Sequence, residues 1–206
     1  MRIAVVSPFL DRRHGTELCL IEQLERLSSS FGCSIDLYSQ RVEDLRLSPP
    51  QPGDSSSTSS HGSIAWHRIS DVPGPHLLKY CWWFLANALE RKHAKRDSSL
   101  RPDITFSPGI NCFDADAILV HIVFHDFYAR VRERLRLSRI PLRQWPLAIH
   151  RRLYYRLIML LERQIYSNPR IRLAAVSHWV AEQLRLHFGR TDVTVIPNAV
   201  DTERFS

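Results

Sequence analysis

The chain has 206 residues, 44% of them hydrophobic, a formal charge of +7 and a pI of about 9.6. That length and apolar content suit one domain with a well-filled core and exclude a disordered chain. No apolar run approaches a bilayer span, and Cys19, Cys33, Cys81 and Cys112 show neither zinc-ribbon nor redox spacing, so they read as small buried thiols in a reducing, cytoplasmic compartment.

Short apolar runs alternate with longer amphipathic ones. Residues 2–7 are short and β-branched, as a buried strand is. Residues 17–27 carry Leu18, Leu20, Ile21, Leu24 and Leu27 near helical spacing, and 33–38 read as the next strand. Residues 48–62 are rich in Pro, Gly and Ser without periodicity and read as a flexible loop. A strand at 64–69 precedes a helix at 77–95, whose aromatic face from Tyr80 to Phe84 is expected in the core. Strands at 103–106 and 117–121 lead to Arg-rich helices at 127–137 and 147–166. Strand 171–176, helix 178–188 and strand 193–196 complete the series. The alternation predicts an α/β fold: residues 1–196 as one Rossmann-like domain, a parallel sheet with helices on both faces. Ligands of such sheets bind at the carboxyl ends of the strands. The stretches that matter are therefore 7–17, 107–111, 121–126 and Ser177.

The first stretch carries His14-Gly15-Thr16-Glu17 at a helix mouth, where backbone N–H groups can face an anion. A plain turn capped by His14 or Thr16, with Glu17 in the first turn, fits the same residues. One glycine is not the three-glycine dinucleotide fingerprint. His121 closes a strand, where an imidazole can move a proton or bind a sugar hydroxyl. His125 follows four positions later, with Asp126 beside it, but a strand end and a helix start share no face, so no metal site is expected. In Ser107-Pro108-Gly109-Ile110-Asn111, Gly109 is free to take positive φ, and the loop suits either a pocket wall or an ordinary turn. Ser177 is placed to N-cap the following helix and to face the strand ends.

Charge is uneven. Residues 130–172 hold twelve arginines against Glu133 and Glu162, a local balance of +10 that leaves −3 for the rest. Such a block favours an anionic partner, or else forms a solvated face whose arginine stems cover apolar surface.

The closing segment Ile196-Pro197-Asn198-Ala199-Val200-Asp201, with Arg204-Phe205 after it, resembles the interdomain hinge of the glycosyltransferase family 4 enzymes, with Ala199 in the usual Gly place. The Ala175-Val176-Ser177 turn and the opening strand with its Gly15-Thr16-Glu17 loop resemble the same family, which usually has two adjacent glycines where this chain has His14-Gly15. The resemblance implies one half of a GT-B fold: the N-terminal, acceptor-side domain of a retaining, metal-independent hexosyltransferase. Its co-substrate would be a nucleotide-sugar, with no other cofactor, and its acceptor a hydroxyl of a glycan or lipid-linked molecule. Residues 197–206 would start the hinge, and the C-terminal donor-binding domain would be a missing partner, leaving this chain alone inactive. Many family members carry a His after the strand that ends at His121, which makes His121 the candidate catalytic residue. His14, Gly15, Thr16, Gly109, Asn111, Ser177 and Asn198 are the implied substrate contacts.

The competing reading is a basic Rossmann-like binding module whose residues 130–172 engage nucleic acid or an anionic membrane. Nucleic acid is disfavoured, because no recognition motif accompanies the arginines. A membrane face is compatible with the transferase and predicts peripheral attachment at the inner membrane surface.

Overall fold

The computed structural model describes residues 1–43, 45, 62–94, 101–135 and 141–198. Its strands are Arg2–Val6 (β1), Phe9–Leu10 (β2), Ser34–Ser39 (β3), Arg41–Val42 (β4), Ile64–Arg68 (β5), Ile104–Ser107 (β6), Ala117–Val120 (β7), Arg172–Ala175 (β8) and Thr194–Val195 (β9). Its α-helices are Gly15–Phe31 (α1), His76–Ala94 (α2), Phe124–Val131 (α3), Trp145–Tyr166 (α4) and His178–Phe188 (α5).

Seven strands form one sheet in the order β5-β3-β1-β6-β7-β8-β9, and each neighbouring pair is parallel. Alternation along β1 divides the core. Ile3 and Val5 pack with Leu20, Ile21 and Leu24 of α1, while Ala4 and Val6 join Trp83 of α2, Ile158 and Ile165 of α4, and Leu184 of α5. Helices thus cover both faces, as a parallel sheet requires. Val5, Val6, Leu37 and Val120 are completely buried, each contributing about 1.5–3 kcal/mol. The chain winds outward from β1 through β3 to β5, then returns through α2 to β6 on the other side of β1. That reversal between β1 and β6 is the switch point, where strand ends open a crevice.

Several boundaries move for physical reasons. Helix α1 starts at Gly15 and runs through Ser28, Ser29 and Ser30 to Phe31. Ser28 is buried there and its carbonyl accepts from the Gly62 N–H at 3.0 Å, so tertiary packing outweighs the weak helix propensity of serine. Helix α3 opens at Phe124, three residues before the expected start, and gives way to a 3-10 turn at Arg132–Leu135. The strand before His121 ends at Val120, leaving His121 as the first residue of the turn. Short β2 and β4 pair in parallel as a separate ribbon that the sequence did not announce. The expected core face of α2 is split: Trp83 is buried, whereas Trp82 is 37% exposed.

Of the flexible loop expected at 48–62, only Gly62 falls within the described residues. A Cβ there would lie 2.1 Å from the Cys33 carbonyl oxygen, so the close approach of these two backbones requires glycine. Strand β9 adds to the sheet edge, and the Ile196 N–H donates to the Ala175 carbonyl at 2.8 Å. The rest of the expected hinge, 199–206, lies outside the described residues. Among the described residues no helix is long and apolar enough to cross a membrane.

Candidate active site

A cleft of about 930 Å³ opens over the carboxyl ends of β1, β6 and β7, at the switch point. Pro8 and Phe9 after β1, Pro108 to Asn111 after β6, and His121 and Ile122 after β7 line it. Thr16 and Glu17 enter from the first turn of α1, and Lys79, Tyr80 and Trp83 from α2.

The expected residues divide. Thr16, Gly109, Asn111 and His121 meet in this cleft; His14, Gly15, Ser177 and Asn198 are not among its lining. His14 precedes α1 but its side chain does not cap it. Its Nδ1 lies 2.8 Å from the Asp11 carboxylate, whose oxygen also accepts from the Arg13 and His14 N–H groups. That hydrogen bond raises the His14 pKa and favours its protonated form. Gly15 is exposed beside Thr16 at the helix mouth. Ser177 caps α5, its Oγ accepting from the Val180 N–H at 3.2 Å. Asn198 is exposed beyond β9.

The loop after β6 is rigid for identifiable reasons. Gly109 takes φ +114, a region that side-chain-bearing residues rarely occupy. Buried Asn111 donates from Nδ2 to the Val6 carbonyl at 3.3 Å and to Ser107 Oγ at 3.0 Å, so its amide nitrogen braces the loop against β1. Tyr80 donates to the Ile110 carbonyl at 2.6 Å. Behind it, Asn87 of α2 donates to the Asn111 carbonyl at 3.3 Å. Arg91, only 2% exposed, donates to Asn87 Oδ1 and, at 2.7 Å, to both carboxylate oxygens of Asp114. This network ties α2 to the cleft wall. Asn87 and Arg91 stand four positions apart on one helix, the spacing that brings side chains together.

His121 is half-buried, and no side chain among the described residues hydrogen-bonds its ring. Burial lowers its pKa below the ordinary 6.5, leaving the imidazole neutral near pH 7, with one nitrogen able to accept a proton. Its turn is fastened from below. Glu162 of α4, fully buried, accepts from the Phe124 N–H at 2.6 Å, the His125 N–H at 3.0 Å and His125 Nδ1 at 2.8 Å. It thereby caps α3 in place of a local side chain, and its charge suits the positive helix end. Burial pushes the Glu162 carboxyl upward, while these three hydrogen bonds oppose the shift. His125 accordingly turns toward Glu162 of α4.

The arginine block is partly structural. Arg130 pairs with Asp126 at 3.1 Å and lies over the Trp179 ring, 5.3 Å from its centroid. On and before α4, Arg143, Arg151 and Arg156 are exposed among Leu142, Leu147, Ile149, Leu153 and Leu160, which are exposed as well.

The glycosyltransferase family 4 sequence profile matches residues 14–204. The crystal structure of WaaG, a glycosyltransferase involved in lipopolysaccharide biosynthesis, superposes with a TM-score of 0.67 at 11% identity, over 98% of this chain and 46% of that one. The chain therefore spans about half the length of that protein. No curated protein sequence matches it. The profile runs across nearly the whole sheet, from the mouth of α1 past β9, and the chain belongs to glycosyltransferase family 4.

Proposed function

We propose that this domain is the acceptor-side half of a retaining, nucleotide-sugar-dependent glycosyltransferase that passes a hexosyl group to a hydroxyl of a glycan or lipid-linked acceptor. The observation that carries the reading is His121: a neutral imidazole at the carboxyl end of β7, set in the wall of a large cleft beside the braced 107–111 loop. An acceptor hydroxyl lying against that ring can donate its proton to it or be oriented by it as the sugar arrives. A second lobe would carry most of the donor and face this cleft. Positive helix ends, including the mouth of α1 at Gly15 and Thr16, would stabilise the departing diphosphate without a metal. His14, Ser177 and Asn198 remain proposed contacts only where such a lobe or the substrate reaches beyond the cleft lining.

The test uses the 206-residue chain itself. It should bind oligosaccharides weakly but saturably, with signals of the 107–111 loop and His121 moving, and should turn over no common nucleotide-sugar. Robust turnover by the chain alone would overturn the half-enzyme reading. Saturation by nucleotide-sugars with no response to any glycan would overturn the acceptor assignment.

The exposed mixture of leucine, isoleucine and arginine on α4 supports a cytoplasmic domain held peripherally on an anionic membrane, close to a lipid-linked acceptor. Each arginine near such a surface contributes about 1 kcal/mol. Replacing Arg151 and Arg156 together with glutamine should then lower partition onto anionic vesicles by about tenfold or more. Equal co-sedimentation with neutral vesicles would remove the electrostatic part of this reading.

A further inference from the structure

We infer that one wall of the cleft is a seat for an oxyanion, and that the acceptor bears a phosphoryl or carboxylate substituent; the second half of this inference rests on the acceptor reading above. The wall is built from Arg41 of β4, Arg68 at the end of β5, and His76 and Lys79 in the first turn of α2, which all line the cleft with Asp71. Arg68 is the centre of the argument. It meets no carboxylate among the described residues, and its guanidinium lies 5.9 Å from the centroid of the Trp66 ring. Trp66 is itself fixed, donating from Nε1 to the Ser39 carbonyl at 3.0 Å. A cation stacked on an anchored ring is held in place before any ligand arrives, and its planar fork suits two oxygens of one anion.

The neighbouring acids leave that charge standing. Arg41 is bridged by Glu43 through Nε at 2.8 Å, and also through Nη2. Lys79 and Asp71 are 3.7 Å apart, with both side chains well exposed, a contact of little energy. Glu17, the remaining acid of the lining, sits in the first turn of α1 rather than on this wall. Helix α2 has no acidic residue of its own in its first turn, so within the helix nothing offsets the positive end from which His76 and Lys79 reach the cleft. Independently, Trp83 lines the cleft while its indole N–H, buried, meets no acceptor among the described residues. A buried donor without a partner is the exception, and the Trp83 indole signal reports whether a ligand in this cleft reaches it.

Isotope-labelled chain, titrated at constant ionic strength with glucose 6-phosphate, glucuronate, glucose and inorganic phosphate, separates the possibilities. The two charged sugars should saturate backbone signals at Arg68 and at His76 to Lys79 together with the Trp83 indole signal, at least about tenfold more tightly than glucose. Arg68→Gln should weaken them about tenfold, Lys79→Gln less, and the remote surface variant Arg170→Gln not at all. Equal binding of charged and neutral sugars, or equal loss in Arg68→Gln and Arg170→Gln, overturns the seat. Inorganic phosphate binding as tightly as glucose 6-phosphate overturns its assignment to an acceptor. No sugar transfer is read here, so failure of the transferase reading would appear in turnover of a longer protein and leave these titrations unmoved.

Discussion

Replacing His121 with alanine should lower sugar transfer by a full-length protein containing this domain by about 10²–10⁴-fold, the range for a positioned acid–base group. Stability should change little, because the ring makes no side-chain hydrogen bond among the described residues and is only half-buried. His121→Gln tells two roles apart. Glutamine can still hold a hydroxyl but cannot take its proton, so substantial recovery of activity would mean that orientation dominates. The pH dependence has a definite sign. Burial lowers the folded pKa below 6.5, so the unfolded ring binds a proton at a higher pH than the folded one. Stability from this group is intact above the ordinary value and declines as pH falls through 6.5 toward the folded value. By the same logic, the acid limb of kcat/KM should lie below 6.5. Ring signals of His121 followed by pH titration measure this on the isolated domain, and titration at or above 6.5 would remove the neutral-imidazole account.

What could be read from the sequence was what depends on neighbours along the chain. The β-branched run at Ile3 to Val6 announces a buried strand, because alternate residues must each find a core on one side of the sheet. His121 was singled out by its place after a strand, since strand ends open onto the crevice of a parallel sheet, together with the family resemblance, and the structure puts it in the cleft lining. The hinge-like Ile196-Pro197-Asn198 segment pointed to the family before any geometry did. The contacts that stiffen the site were illegible because they join residues far apart. Arg91 looks like one more charge at the end of an aromatic helix, yet it is buried and reaches Asp114, 23 positions away. Ribbon β2–β4 is two residues wide on each side, too short to show periodicity. Arg68 gave no signal either, since its lack of an acidic partner among the described residues is a fact about space rather than order. His14, Ser177 and Asn198 each sit near a strand end or helix mouth in sequence, yet none is in the lining of the cleft, which is reached from other directions.

Helix α3 illustrates why its start was misplaced by three residues. Its N-cap is Val123, which has no side-chain oxygen, and the cap comes instead from Glu162, 38 positions beyond Phe124. Removing that carboxylate should therefore have the largest structural effect of any single change near the cleft. Glu162→Ala removes a completely buried carboxylate and leaves the Phe124 and His125 N–H groups and His125 Nδ1 without their acceptor, with only the His125 side chain partly open to water. The expected cost is about 3–5 kcal/mol, that of stranding the partners of a buried charge. For a domain of this size that lowers the melting temperature by roughly 10 °C. Glu162→Gln should fall between, since one oxygen remains to accept while the amide N–H₂ faces a donor. The functional consequence follows from adjacency. Ile122 and Val123 are all that separate His121 from the capped helix, so a frayed α3 lets the His121 turn open to water. Its ring should then titrate closer to 6.5 in Glu162→Gln than in the parent chain. A thermal melt within about 1 °C of the parent for Glu162→Ala, at the scale of 2–4 °C per kcal/mol, would show that the α3 cap contributes nothing to holding this wall of the cleft.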